Sequence, residues 1–112
     1  MTQQEAPAEP FGRLSPQETR DRVGAGELKI VDVREEWEYA RDHIQDATLT
    51  PLRKIIARPE EAITSDDVVF VCEVGQRSAV AAELAAAVGK KHVFNLEGGM
   101  QAWRNAGLPT ET

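Results

Sequence analysis

The chain has 112 residues, a formal charge of −6, 41% hydrophobic and 29% charged residues. These values suit one folded domain and exclude collagen-like and wholly disordered chains. The longest uninterrupted apolar runs, residues 68–72 and 84–88, are far short of the about 20 residues that span a membrane, and an acidic chain without clustered Lys or Arg is a poor generic partner for nucleic acid.

Residues 1–12, with Pro7 and Pro10 among polar and acidic neighbours, read as a flexible N-terminal tail. They show no basic patch followed by an apolar core, so no signal peptide is expected. Residues 13–110 read as the folded domain. Ser15-Pro16-Gln17-Glu18 predicts a helix start: Ser15 caps free N–H groups, Pro16 fits the first helical position, and Glu18 completes a capping box. Gly24-Ala25-Gly26 stops that helix. Residues 28–33 predict a short buried strand.

Residues 35–42, charged with Trp37 and Ala40 inserted, predict a short helix. Residues 47–49 predict a short strand. Residues 51–58 predict a helix on the spacing of Leu52, Ile55 and Ile56, ended by Pro59. The β-branched and aromatic run at 67–72 is the strongest strand signal. Residues 78–88 predict an Ala-rich helix with Val80, Leu84 and Val88 as its apolar stripe and small neighbours that allow close packing. A strand at 92–96, a turn at Gly98-Gly99, and a helix bearing Met100 and Trp103 follow, and Gly107 and Pro109 end that helix. Continuous apolar strands alternating with helices predict an α/β fold, with a central parallel sheet covered by helices on both faces.

Chemistry concentrates at Cys72-Glu73-Val74-Gly75-Gln76-Arg77-Ser78. In parallel α/β sheets, ligands bind beyond the carboxyl ends of strands, where helices begin. A loop there can point backbone N–H groups inward and add the positive end of a helix dipole. Gly75 permits a conformation that a side chain hinders. Arg77 adds a permanent cation with forked donors. Such a cradle favours thiolate over thiol at its base. The bland reading is that Cys72 is a small buried core residue; the order strand, cysteine, glycine, arginine, helix start argues against it.

Taken together, the chain resembles the rhodanese-like (sulfurtransferase) family over about residues 14–109. The resemblance rests on Val31-Asp32-Val33-Arg34-Glu35, on Glu38-Tyr39-Ala40 leading to His43-Ile44 and Ala47, and on Pro51-Leu52. It continues in Cys72-x-x-Gly75-x-Arg77-Ser78, in Leu96-Glu97-Gly98-Gly99, and in Trp103 with Gly107-Leu108-Pro109. It implies a three-layer fold and a single-domain sulfurtransferase in which Cys72 accepts a sulfane sulfur as a persulfide. Thiosulfate or a persulfide-bearing protein would be the donor and a thiol the acceptor. Glu73, Val74, Gly75, Gln76, Arg77, Ser78 and Arg34 would bind the donor. Related phosphatases have one residue more in this loop, so the six residues from Cys72 through Arg77 favour sulfur over phosphate or arsenate chemistry.

Two departures from the family pattern bear on the site. Asp42-His43-Ile44-Gln45-Asp46-Ala47 stands where members often carry Gly-His-Ile-Pro-Gly-Ala. Glu73 stands where thiosulfate-specialised members tend to carry a basic residue. A carboxylate there repels a dianion and favours a protein-bound persulfide as donor. Two other readings remain: a persulfide carrier with little small-molecule turnover, and a regulatory module, which the intact Cys72 argues against.

Other polar residues read as structural. Asp32 is expected in an ion pair, Arg34 as an auxiliary electrostatic contact, and His43 as a hydrogen-bonded support. Trp37 and Trp103 are expected as core or pocket wall. Glu35, Glu36 and Glu38 are expected on a solvated helix face. Gly98-Gly99 is no nucleotide loop. One cysteine permits no internal disulfide and fits a reducing compartment, the cytoplasm. One cysteine and two distant histidines, His43 and His92, make a poor metal-ligand set, so neither metal nor cofactor is expected.

Overall fold

The computed structural model describes residues 9–112; the part of the tail expectation that covers residues 1–8 lies outside them. In chain order the elements are β1 (Gly12–Leu14), α1 (Pro16–Gly24), β2 (Lys29–Asp32), α2 (Glu36–Arg41), β3 (Thr48–Leu49) and α3 (Leu52–Ala57). Then come α4 (Pro59–Ala62), β4 (Val68–Val71), α5 (Gln76–Ala87), β5 (Val93–Leu96) and α6 (Gly99–Asn105). The capping box forms as the sequence predicts. Glu18 N–H donates to Ser15 Oγ at 3.1 Å, and Ser15 N–H donates to Glu18 Oε1 at 2.8 Å.

The five strands form one sheet in the order β1-β5-β4-β2-β3, and every pairing is parallel. Side chains alternate between its two faces. Val69 and Val71 of β4 join Leu14, Ile30, Leu96, Met100 and Trp103 in one core cluster. Val68, Phe70 and Cys72 join Ile55, Ile63, Ala81, Ala82 and Ala85 in the other. Helices α1 and α6 meet over the first face, and α3, α4 and α5 over the second. All of β4 is buried because it lies mid-sheet under both helical layers.

Four details differ from the sequence reading. Gly12 belongs to β1 and Phe11 packs against the core, although both fall in the predicted tail. A three-residue edge strand is too short to carry a periodic signal. Pro59 ends α3 and also opens the four-residue α4, since a first helical residue needs no N–H. Of the predicted Val80/Leu84/Val88 stripe only Leu84 packs against the core, and the small neighbours form the buried face of α5. Its buried residues are Ser78, Ala81, Ala82 and Ala85, while Val80 is 39% exposed. Large strand side chains such as Phe70 fill the interlayer space, and only small helix residues let α5 approach that closely. Finally, order continues past residue 110. Glu111 and His43 exchange backbone hydrogen bonds at 2.8 Å in both directions.

This topology positions the site. From β2 the chain moves outward to β3, and from β4 it moves the opposite way to β5. Neighbouring strands β2 and β4 therefore diverge at their carboxyl ends, the crevice where ligands bind in open α/β sheets. Residues 32–34 follow β2 there and residues 72–75 follow β4.

Candidate active site

Cys72 leaves β4 as its side chain turns into the α5 face of the core, and it has no exposed surface. Its Sγ accepts hydrogen bonds from Gly75 N–H at 3.1 Å and Ser78 N–H at 3.3 Å. The Ser78 hydroxyl lies 3.2 Å from Sγ and 2.6 Å from Asn95 Oδ1; its one proton serves one of them at a time. Gly75 has φ +97°, in the left-handed region, and caps α5. A Cβ there would stand 3.2 Å from the Gly98 nitrogen.

The loop carbonyls are claimed from outside. Met100 N–H donates to Cys72 O at 2.8 Å, Gln101 N–H to Glu73 O at 3.0 Å, and Asn95 Nδ2 to Gly75 O at 3.1 Å. In a trans peptide the N–H points opposite to the C=O. These bonds therefore turn the amides of Glu73, Val74 and Gln76 away from α6 and β5. Gly99 makes the contact with α6 possible: at φ +60°, a Cβ there would overlap the Cys72 carbonyl and lie 2.7 Å from the carbonyl carbon of Glu73. The first-turn amides of α5 have no partners within their own helix, and the helix dipole adds positive potential at the same point.

The charged side chains around this loop pair with one another. Arg77 grips Glu38 with two hydrogen bonds, at 2.8 and 2.9 Å. These bonds push the Glu38 carboxyl down to about 2 and hold Arg77 firmly protonated. Glu38 is thus buried, not solvated as its acidic neighbours suggested. Its burial is the cost of locking the first turn of α5 to α2.

Arg34 is wholly buried. It donates to both Asp32 carboxylate oxygens (2.8–3.2 Å), to the Asp42 carbonyl at 2.7 Å and to Glu73 Oε1 at 3.4 Å. Asp32 takes the ion-pair position the sequence suggests. Arg34 has no exposed surface and reaches the loop through Glu73. The Glu73 carboxylate faces a second guanidinium, Arg104, at 2.7 Å, and Arg104 also holds both oxygens of Asp42 at 2.7 and 2.8 Å. Hydrogen bonds from Arg104 hold the Asp42 carboxyl below its usual range.

Of the residues the sequence nominated, Cys72, Gly75 and Ser78 converge, while Val74 and Gln76 stand exposed on the rim. Arg77 and Arg34 lie next to the loop with their charges paired. Sequence reasoning missed Asn95 and Arg104. Asn95 carried a signal, as a polar residue within the apolar 93–96 strand; Arg104 carried none. His43 is a support, with Nδ1 2.8 Å from the Tyr39 carbonyl and its ring stacked on Tyr39 at 3.7 Å. Trp103 is buried, its Nε1 donating to Pro109 O at 2.9 Å. Trp37, expected in the core or a pocket wall, is instead 63% exposed and lies over Arg41. Among the described residues no group of His, Cys, Asp and Glu is placed to hold a metal, and no helix is long and apolar enough to cross a membrane.

A five-stranded parallel sheet with helices on both faces, and a strand-to-helix loop around one cysteine at its switch point, defines an α/β protein of the rhodanese-like class. The rhodanese-like domain pattern matches residues 15–106, and the chain belongs to that family. A sulfurtransferase of Allochromatium vinosum is 37% identical over 74% of this chain and 78% of its own length. The putative sulfur carrier protein YrkF of Bacillus subtilis is 37% identical over 68% of this chain. The chain spans only 41% of the length of YrkF and 45% of a Synechocystis relative, slr1261. A crystal structure of a rhodanese-related protein from Thermoplasma volcanium superposes with a TM-score of 0.80 over 90% of this chain and 98% of its own, at 22% identity. A Rhodopseudomonas palustris protein described as a possible tyrosine phosphatase superposes at 0.78 over 99% of both chains, at 28% identity.

Proposed function

We propose that the protein is a sulfurtransferase that carries one sulfane sulfur on Cys72 as a persulfide. The observation that supports this reading best is the pair of backbone donors, Gly75 and Ser78, on Cys72 Sγ. Donors gathered on sulfur are placed to hold negative charge there as bonds to sulfur form and break. The Cys72 thiolate attacks the outer sulfur of a donor R–S–SH. The new Sγ–S bond forms, the donor S–S bond breaks, and R–S⁻ leaves with the electron pair. With thiosulfate the leaving group is sulfite. An acceptor thiolate then attacks the outer sulfur of the persulfide and restores the Cys72 thiolate. The amides of the loop and of the first turn of α5 hold the negative charge in both steps.

A persulfide borne by a thiol, on a small molecule or a protein, is the favoured donor. Asp32, Glu38, Asp42 and Glu73 face Arg34, Arg77 and Arg104, four carboxylates against three guanidiniums. The cluster sums to −1, and each of these guanidiniums is already paired, which suits a singly charged donor better than a dianion. The single thiol suits a reducing cytoplasmic compartment. A phosphoryl group has less support, because the loop cation it would need, Arg77, is clamped to Glu38.

The test compares 2-hydroxyethyl persulfide with thiosulfate as donor to the reduced protein, with a thiol acceptor present. Saturation by the persulfide at the lower concentration is expected. Saturation by thiosulfate at low concentration, with no gain in Glu73→Lys, would contradict the donor assignment. A second reading, a carrier that trades one sulfur between proteins, is supported by the likeness to a putative sulfur carrier protein of Bacillus subtilis. It predicts one sulfur gained per chain and no steady turnover with either small donor.

A further inference from the structure

The two departures from the family pattern near the loop, Asp42 and Glu73, meet in space on one residue. Arg104 Nε and Nη2 donate to Asp42 at 2.7 and 2.8 Å, and Arg104 Nη1 and Nη2 donate to Glu73 at 2.7 and 3.3 Å. The chain separations are 62 and 31 residues, so only the fold brings them together. All three side chains are two-thirds or more buried. Glu73 is also tied to the loop side of α6 through its carbonyl, which accepts from Gln101 N–H at 3.0 Å.

We propose that Arg104 is a specificity-determining residue that controls the charge beside Cys72 by clamping the Glu73 carboxylate. Glu73 is next to the nucleophile in the chain, so its charge acts on anything that approaches the sulfur. Held between Arg104 and Arg34, the carboxylate is fixed in place and largely neutralised. Without Arg104, Glu73 keeps only its 3.4 Å contact with Arg34 and presents more negative charge to an incoming anion. With Glu73 made neutral, Arg104 keeps Asp42, the cluster sum rises from −1 to zero, and the loop loses the negative charge that opposes an incoming anion. Asp42 holds Arg104 from the other side and stops it from swinging away with Glu73. Arg104 therefore acts on donor choice through Glu73 and does not itself touch the donor.

This inference refines the donor side of the proposed sulfur transfer, yet its test does not need sulfur transfer to occur. Cys72 is alkylated with iodoacetate, an anion, and with iodoacetamide, its neutral counterpart of similar size. The ratio of the two rates reads the local charge at the sulfur. Glu73→Gln is expected to raise the iodoacetate-to-iodoacetamide ratio and Arg104→Met to lower it, each by roughly threefold to tenfold at low salt. The double variant is expected to return toward the native ratio. Both shifts should shrink as salt is added, which a merely structural role would not produce.

Persulfide formation is measured on the same proteins with thiosulfate and 2-hydroxyethyl persulfide, and the thiosulfate rate should follow the iodoacetate ratio. If Arg104→Met unfolds, Glu73→Gln still decides: an unchanged ratio in that variant overturns the proposal. A ratio that falls equally in both single variants, or no reaction of Cys72 with either reagent, also overturns it. Shifted alkylation ratios without any persulfide would uphold the charge control and reject the sulfur-transfer reading instead.

Discussion

Two segments leave adjacent parallel strands at the same crevice and solve different problems. After β2, residues 32–34 pack charged side chains inward: Asp32 and Arg34 are both wholly buried and bonded to each other. After β4, residues 72–78 bring backbone amides inward, onto a sulfur, and turn their charged side chains outward to partners on α2 and α6. The first segment is a support made of side chains. The second is a cradle made of main chain. Main-chain donors cost no side-chain entropy to fix and leave the sulfur as the only reactive group at the base. The support explains why the cradle keeps its shape: Arg34 spans Asp32, the Asp42 carbonyl and Glu73, and so ties the end of β2 to the loop.

The comparison breaks most visibly at Gly75. Gly75→Val should cost activity on the order of 100-fold, the size of losing preorganised donors at a site of developing charge. Its stability should fall by only about 1–2 kcal/mol, the cost of the left-handed backbone for a residue with a Cβ. Persulfide formation and urea unfolding, measured on one preparation, separate the two; equal proportional losses would mean the loop is structural.

On the β2 side the effect should be reversed. Asp32→Ala leaves the buried Arg34 without its main counter-ion and should cost about 3–5 kcal/mol of stability. Urea unfolding at neutral pH reads this directly. The folded fraction should still react at Cys72, because no loop amide is removed, but more slowly, because Arg34 no longer holds the loop firmly through Glu73. A stable variant that has lost reactivity would place Asp32 in the chemistry.

The smallest effect concerns the pair that ties the first turn of α5 to α2. The folded Glu38 carboxyl sits at about 2, below the ordinary 4.5. A depressed carboxyl adds stability that is complete above the unfolded value and disappears as pH falls through the folded one. Glu38→Gln should therefore be less stable than the native chain near neutral pH. The gap should close between about 4.5 and about 2. Denaturant unfolding across that range tests it, and a gap independent of pH would mean that the Arg77 pair contributes nothing through charge.

How much of this was legible in the sequence follows from chain distance. The parallel α/β layout was, because apolar runs, caps and glycines are local signals. The cradle was too, since Cys72, Gly75 and Ser78 lie within one turn of strand-to-helix chain. Edge strand β1 and helix α4 were not: β1 carries one buried apolar side chain and adjoins a polar, proline-bearing segment, and α4 opens on the proline read as a helix end. The close approach of α5 through its small residues was legible too, but Val80, counted in its apolar stripe, is exposed. The partners of the loop were invisible for a different reason. Glu38 and Arg77 are 39 residues apart, as are Arg34 and Glu73, and Ser78 and Asn95 are 17 apart. No local pattern encodes such pairs. The same distance hid the meaning of Glu73, which the sequence shows as an isolated acid and the fold shows as one arm of a clamp.

The central claim is that the cradle holds Cys72 as the acceptor of a single sulfur. Intact mass of the reduced protein after brief exposure to 2-hydroxyethyl persulfide, beside the Cys72→Ser variant, tests it most directly. One sulfur is expected on the native chain and none on Cys72→Ser, with the same unfolding midpoint for both. A gain on the variant, or none on a native chain whose Cys72 still reacts with iodoacetamide, would contradict it.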